Sequence, residues 1–371
     1  MSRFEGFWQR VTDGMELNQL WKQFQTEARS SYQLYSRDVD TTQEPGTKKG
    51  RYAFHVAKQF FWALLEKMSP ARRVVLLIAL VLLFVNIDLE WLGGGHTQSL
   101  VFSGAFWAGL LLLVLLILEI GDRVVMKRDL QIAKEIQAWL LPGKAPEIPG
   151  VEIAFTTRPA NTVAGDYYDV FPRQGAGGAE PTYLMAVADV AGKSVPAAML
   201  MATFQASLKT LAQMHGPVAE LAGRMNTYAC SNSQNGRRFT TTFLAEYEPA
   251  TRRLTYVNAG HNPPMLRRSG GAIERLDKGG MPLGIAEDAV YEPGSVTLRS
   301  GDWLLVFTDG VTEAEDRFKR EYSEARLMMV VNALAQVKPE AMLQAIMRDV
   351  DLFVGDAPQH DDVTLLLVKV V

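Results

Sequence analysis

Hydrophobic and polar positions fall into two textures along the chain. In the first third, apolar residues come in long runs. Leu100 to Leu118 carries no charge and has the length to cross a bilayer. Val74 to Ile87 is shorter. Arg72 and Arg73 can snorkel at one end, and Leu89, Trp91 and Leu92 extend the other, so it predicts a second span. The competing reading is an apolar hairpin buried in a soluble protein. From about Ile148 the runs shorten and alternate with Gly, Pro, Asn and Asp turns. "YLMAVADV", "RFTTTFLAEYEP", "RRLTYVNAG", "DWLLVFTDG" and "DDVTLLLVKVV" predict strands. Helical spacing predicts helices over 195–214, 217–231, 324–335 and 339–353. Strands come in adjacent pairs, so the fold class is α+β, with antiparallel sheets and the helices grouped outside them.

The remaining segments connect these regions. Phe4, Phe7, Val11, Leu17, Trp21 and Phe24 recur at helical spacing, and 36–50 reads as a linker. The aromatic stretch 51–68, with Arg51, Lys58 and Lys67, suits a membrane surface. After the second span, Met126, Leu130, Ala133, Gln137 and Leu140 are spaced 4, 3, 4, 3. That is a short heptad seam with one polar position, fit for a homodimer through this linker helix or for packing on its own domain. Pro142 and Gly143 end the helix. The expected organisation is an N-terminal cytoplasmic helical region (1–70), a transmembrane helical hairpin (71–120), a linker helix (121–147) and an α+β domain (148–371).

Charge sets the orientation. Between the two apolar runs lie Asp88, Glu90 and three glycines, with no Lys or Arg. Lys67, Arg72 and Arg73 flank one side, and Arg123, Lys127 and Arg128 the other. The positive-inside rule puts both ends of the chain in the cytoplasm. Some 70 residues precede the first run, so a multi-pass anchor in a bacterial inner membrane is expected and not a signal peptide. The formal net charge of −3 gives no footprint for nucleic acid. The lone Cys230 allows no intramolecular disulfide, which suits a reducing compartment.

The candidate chemistry lies in acids at strand ends. Asp189 and Asp309 close strands, whereas Asp166, Asp361 and Asp362 open them. Antiparallel pairing can bring such ends to one edge. Gly165, Gly192 and Gly310 stand beside them and allow close approach. Carboxylates so gathered repel one another unless cations sit among them, and Mg²⁺ or Mn²⁺ take oxygen ligands. Two such ions would clamp a phosphoryl group and activate water. For any single Asp beside Gly, an ordinary turn role is the commoner explanation. "AGKS" at 191–194 resembles a phosphate-binding P-loop, but the required first glycine is Val187 and Asp189 would repel phosphate.

The stretches "RPANTVAGDYYDVF", "VADVAGKSVPAAMLMA", "TTTFLAEYEP", "LTYVNAGHNPPML", "GMPLGI", "GDWLLVFTDGVTEA" and "HDDVTLLLVKV" resemble, in order over about Leu130 to Val371, the metal-dependent protein serine/threonine phosphatases of type 2C, SpoIIE-like branch. The resemblance implies a β-sandwich flanked by helices and a site with two Mn²⁺ or Mg²⁺ ions. By motif, Asp189 would bridge both ions. The Val190 carbonyl and Asp166 would serve one, and Asp309 and Asp361 the other, with Asp362 a neighbour. Catalysis would be attack of the bridging hydroxide on phosphoserine or phosphothreonine. The implied substrate is a phosphorylated signalling protein of a sigma-factor pathway, an anti-sigma-factor antagonist among the candidates. Ala164 and Ser194 stand where this branch usually has glycine, and Ala191 where many relatives have a histidine acid. His360 is then the candidate proton donor, His261 reads as structural, and Lys193 is either a phosphate contact or a solvated turn residue. A silent scaffold of the same fold is the alternative.

Overall fold

The computed structural model describes residues 58, 61, 62, 65, 66, 68–84, 86–93, 96–173, 181–232 and 238–371. The helical spacing from Phe4 to Phe24 and the linker at 36–50 lie outside them. The chain divides into two compact units, with the boundary after Val125.

In the first unit, α1 (Pro70–Leu82) begins with proline at its first position, where the missing N–H is harmless. Strands β1 (Asn86–Gly93) and β2 (His96–Ser103) then form an antiparallel hairpin that pairs Gly93 with His96. Helix α2 (Gly104–Leu140) follows and continues past the boundary. Arg72 joins α1 to α2 through Glu119 (3.3 Å) and Asp122 (2.7 Å).

Two expectations change here. Residues 86–103, expected as the end of the first span, a loop over 88–99 and the start of the second span, hold the paired strands β1 and β2, so Leu100 to Ser103 are strand and not helix. A hydropathy window cannot separate an apolar strand from an apolar helix. The two expected spanning helices are one among the described residues. Only α2 is long and apolar enough to cross a membrane. The 13 residues of α1 reach about 20 Å, short of a hydrocarbon core of roughly 30 Å.

The second unit is a sandwich of two sheets. Its strands and helices are β3 (Val151–Arg158), β4 (Tyr167–Arg173), β5 (Thr182–Val190), α3 (Ser194–Leu211), α4 (Val218–Asn232), β6 (Thr240–Glu248), β7 (Arg253–Ala259), β8 (Met265–Arg267), β9 (Ile273–Arg275), β10 (Gly279–Gly280), β11 (Gly294–Thr297), β12 (Trp303–Phe307), α5 (Asp309–Thr312), α6 (Glu324–Ala333), α7 (Pro339–Val354) and β13 (Val363–Val370). One sheet runs β10-β7-β6-β5-β4 with β11 on β7, and the other runs β3-β13-β12-β8-β9. All these pairings are antiparallel except β10 with β7.

Period-two alternation decides which residue faces which layer. Met185 and Val187 of β5, Phe243 and Ala245 of β6, Val306 of β12 and Leu366 and Val368 of β13 meet between the sheets. Leu184, Ala186 and Ala188 turn outward to Met201, Leu208 and Met225 of α3 and α4. Trp303, Leu305 and Leu367 turn outward to Leu327, Met342 and Ile346 of α6 and α7. Both faces of the central strands are covered, which is why their sequences are unbroken apolar runs and not alternating ones.

Candidate active site

Register brings the acids together. β4 and β5 pair Tyr167 with Ala188, which sets Asp166 beside Asp189 at one end of the first sheet. β12 and β13 pair Phe307 with Leu365, which sets Asp309 beside the Asp361–Asp362 segment at the end of the second. Thr308 ties the two ends: its Oγ1 donates to Asp166 Oδ2 (2.9 Å) and also serves the β13 backbone, accepting from the Thr364 amide (3.1 Å). Asp362 is a second tie, because its carboxylate accepts from the Gly165 amide (2.6 Å) and the Ala160 amide (2.7 Å). Glycine is required at Gly310 and eases a tight approach at Gly165. A Cβ on Gly310 would stand 2.0 Å from the Asp362 carbonyl oxygen, and one on Gly165 3.3 Å from the Val190 carbonyl oxygen.

Electrostatics follow from this crowding. Asp166 is buried, and burial together with Asp189 and Asp362 holds its carboxyl well above the ordinary carboxylate range. Burial, with repulsion from Asp309, Asp361 and Asp362, pushes Asp189 up to about 7. Asp309 is raised by burial and by Asp361. Such carboxylates are short of positive charge, and hard divalent cations supply it. Among the described residues, no three acidic, histidine or cysteine side chains close on one point as a ready-made cage. Mg²⁺ and Mn²⁺ do not need one, since a small hard ion keeps several waters and takes one or two carboxylates. The donor set therefore fits divalent ions held at Asp189, Asp309 and Asp361.

Beside Asp361 opens a cleft of about 270 Å³, lined by Arg158, Lys193, Gly310, Glu313 and His360 among others. His360 is exposed at its rim, with Nε2 3.7 Å from Glu315 Oε2. His261 is buried and does not line the cleft, with Nδ1 3.3 Å from Thr241 Oγ1, and burial lowers its pKa to about 4. A neutral, enclosed imidazole suits a structural role.

Of the two readings open for the 4-3-4-3 face of α2, Gln137 follows packing on its own domain. It is buried and makes two hydrogen bonds with Ala164: its amide donates to the Ala164 carbonyl (2.8 Å), and its carbonyl accepts from the Ala164 N–H (2.9 Å). The polar position braces the backbone just before Gly165 and Asp166. Spacing alone left pairing with a second chain and packing on its own domain both open, because spacing cannot say which surface the face meets. Further contacts have no signal in the sequence pattern. These are the ties made by Thr308 and Asp362, and buried Asp169, which pairs with Lys209 (2.6 Å) and accepts from Tyr167 (2.8 Å).

A helix–sheet–sheet–helix sandwich with acids gathered at one end of both sheets defines the PP2C class of phosphatase domains. The chain shares that fold with the SiaA-PP2C domain of Pseudomonas aeruginosa: TM-score 0.57, 21% identity, 67% of this chain and 99% of that one covered. The family model for stage II sporulation protein E matches residues 179–371, just over half of the chain, and the chain belongs to the SpoIIE family. It is 28% identical over 251 residues to phosphoserine phosphatase RsbU of Bacillus subtilis, covering 67% of this chain and 72% of RsbU. It is 27% identical over 277 residues to protein IcfG of Synechocystis, again 67% of this chain but 42% of IcfG.

Proposed function

We propose that this chain is a membrane-anchored, metal-dependent protein serine/threonine phosphatase, acting on phosphoserine or phosphothreonine of a cytosolic signalling protein. The observation that carries this reading is the convergence of Asp166, Asp189, Asp309 and Asp361 from both sheets beside an open cleft. Membership of the SpoIIE family and the name of the relative RsbU support the substrate class. Asp189 would stand between two ions, with Asp166 and the Val190 carbonyl on one side and Asp309 and Asp361 on the other. When bound, such ions activate water and neutralise the phosphoryl oxygens. Thr308 and Asp362 hold the two sheet ends in register, so the carboxylates keep their spacing. His360, at the rim of the cleft, would give a proton to the departing serine or threonine oxygen.

Anchoring would come from α2, in a bacterial inner membrane, with the catalytic unit in the cytoplasm. Leu113, Leu116 and Ile117 of α2 are exposed, as lipid-facing side chains would be.

The test is hydrolysis of p-nitrophenyl phosphate and of phosphopeptides. Turnover should require Mn²⁺ or Mg²⁺ and stop with EDTA. Asp189→Asn should lower kcat by about a hundredfold or more, since it removes charge at the point where ion and phosphate meet, while circular dichroism stays unchanged. Turnover that survives EDTA would refute the metal reading. No turnover under any metal would favour a signalling scaffold of the same fold.

A further inference from the structure

Lys193 reaches the point where the carboxylates converge, and the hydrolysis outlined above leaves it without a role. Its own backbone is extended (φ −136°, ψ 159°) at the N-terminal cap of α3. It lies between Gly192 (φ 118°) and Ser194 (φ 65°), both in the left-handed region. This sharp turn carries the side chain off the first sheet and across to the second. Nζ stands 2.8 Å from Asp361 Oδ2 and donates to the His360 carbonyl at 2.6 Å. Among the described residues, it is the one cation that ion-pairs with any of Asp166, Asp189, Asp309, Asp361 and Asp362. Its side chain remains 55% exposed, so the contact can be given up without moving the backbone.

We infer that Lys193 is a displaceable counter-ion: it clamps the two sheet ends through Asp361 until divalent ions enter, and its ammonium then pairs with the phosphoryl oxygens of the substrate. The inference rests on the phosphatase reading. Asp361 cannot hold an ammonium and a divalent cation at contact distance without placing the two positive charges against each other. The flexible four-carbon stem, half in solvent, is the part that can yield. Once Asp361 is taken by a cation, the strongest new anion within reach of the same cleft is the phosphate ester itself, and lysine is a common phosphate binder as a point charge. One residue thus opposes metal binding and favours substrate binding, a pair of opposite effects that a merely structural lysine would not produce.

Both effects are measurable on the full chain in detergent. Mn²⁺ is titrated calorimetrically without substrate into wild type, Lys193→Met and Lys193→Arg. Inorganic phosphate is then measured as a competitive inhibitor at saturating Mn²⁺. In Lys193→Met, Mn²⁺ should bind about threefold or more tightly, whereas Ki for phosphate and KM should rise about tenfold, the scale of one lost charge-assisted contact. Lys193→Arg should restore most of the phosphate affinity. Unchanged or weaker Mn²⁺ binding in Lys193→Met overturns the counter-ion, and an unchanged Ki overturns the phosphate contact. A wild type that binds Mn²⁺ but hydrolyses no phosphate ester overturns the phosphatase reading instead, while the Mn²⁺ titrations, which need no turnover, still decide the counter-ion.

Discussion

His261 shows how burial turns a residue with catalytic potential into a structural one. Enclosed and held near Thr241, its ring is kept neutral, with its pKa lowered to about 4 from an ordinary value near 6.5. In the unfolded chain the ring takes up a proton as pH falls below 6.5, whereas in the folded chain it does not until about pH 4. Its contribution to stability is therefore complete above pH 6.5 and is lost as pH falls towards 4. Wild type should lose stability relative to His261→Gln across that window, by about 1.4 kcal/mol per pH unit at most. Chemical denaturation of both proteins at pH 7, 6 and 5 checks this, and parallel curves would show that the ring does not titrate in this way. The comparison with the variant cancels the carboxylates that titrate over the same range.

At the scale of elements, α2 has two faces that serve different ends. Leu130, Ala133 and Leu140 are half-buried on the side of Gln137, which holds the Ala164 backbone. Gln137→Ala would leave a buried N–H and a buried carbonyl without partners, each worth about 1–3 kcal/mol. It should lower the melting temperature and also weaken Mn²⁺ binding, because Ala164 leads directly into Gly165 and Asp166. Destabilisation with unchanged Mn²⁺ affinity would mean that the brace supports the fold alone. Ile132, Ile136 and Trp139, spaced 4 and 3, are exposed on the same helix. If two chains pair through α2, this stripe is the seam and not the one through Gln137. Ile132→Asp with Trp139→Asp should then convert a dimer to a monomer in analytical ultracentrifugation. A wild type already monomeric at tens of micromolar would remove the dimer from consideration.

At the scale of the whole molecule, the prediction concerns the membrane. The full chain should sediment with the inner membrane and be released by detergent and not by high salt, since α2 holds its apolar residues by burial and not by charge. A truncated chain beginning at residue 121 should be soluble. A reporter fused after Val371 should be active in the cytoplasm. Activity confined to the periplasm would reverse the assigned orientation and put the catalytic unit away from cytosolic phosphoproteins.

The sequence by itself determined the class of the second unit, because its signals are local. Short apolar runs bounded by turn residues, such as Thr182–Val190 and Val363–Val370, read as strands buried on both faces, and 3.6-residue spacing gave α3, α4, α6 and α7 within a few residues of where they stand. The strand-end position of Asp166, Asp189, Asp309 and Asp361 was legible too, since it needs only the element boundaries. Their convergence was not, because it depends on register and on which strands become neighbours, and pairing is a long-range property. Only the tertiary structure decided that Gln137 meets Ala164, that Thr308 and Asp362 bind the two sheet ends together, and that Lys193 crosses from one sheet to the other. Each of these joins residues at least 27 apart in the chain, through polar atoms whose partners no local pattern names. The strand at Leu100–Ser103 was lost for the opposite reason: its apolar composition is local, but composition does not distinguish an apolar strand from an apolar helix.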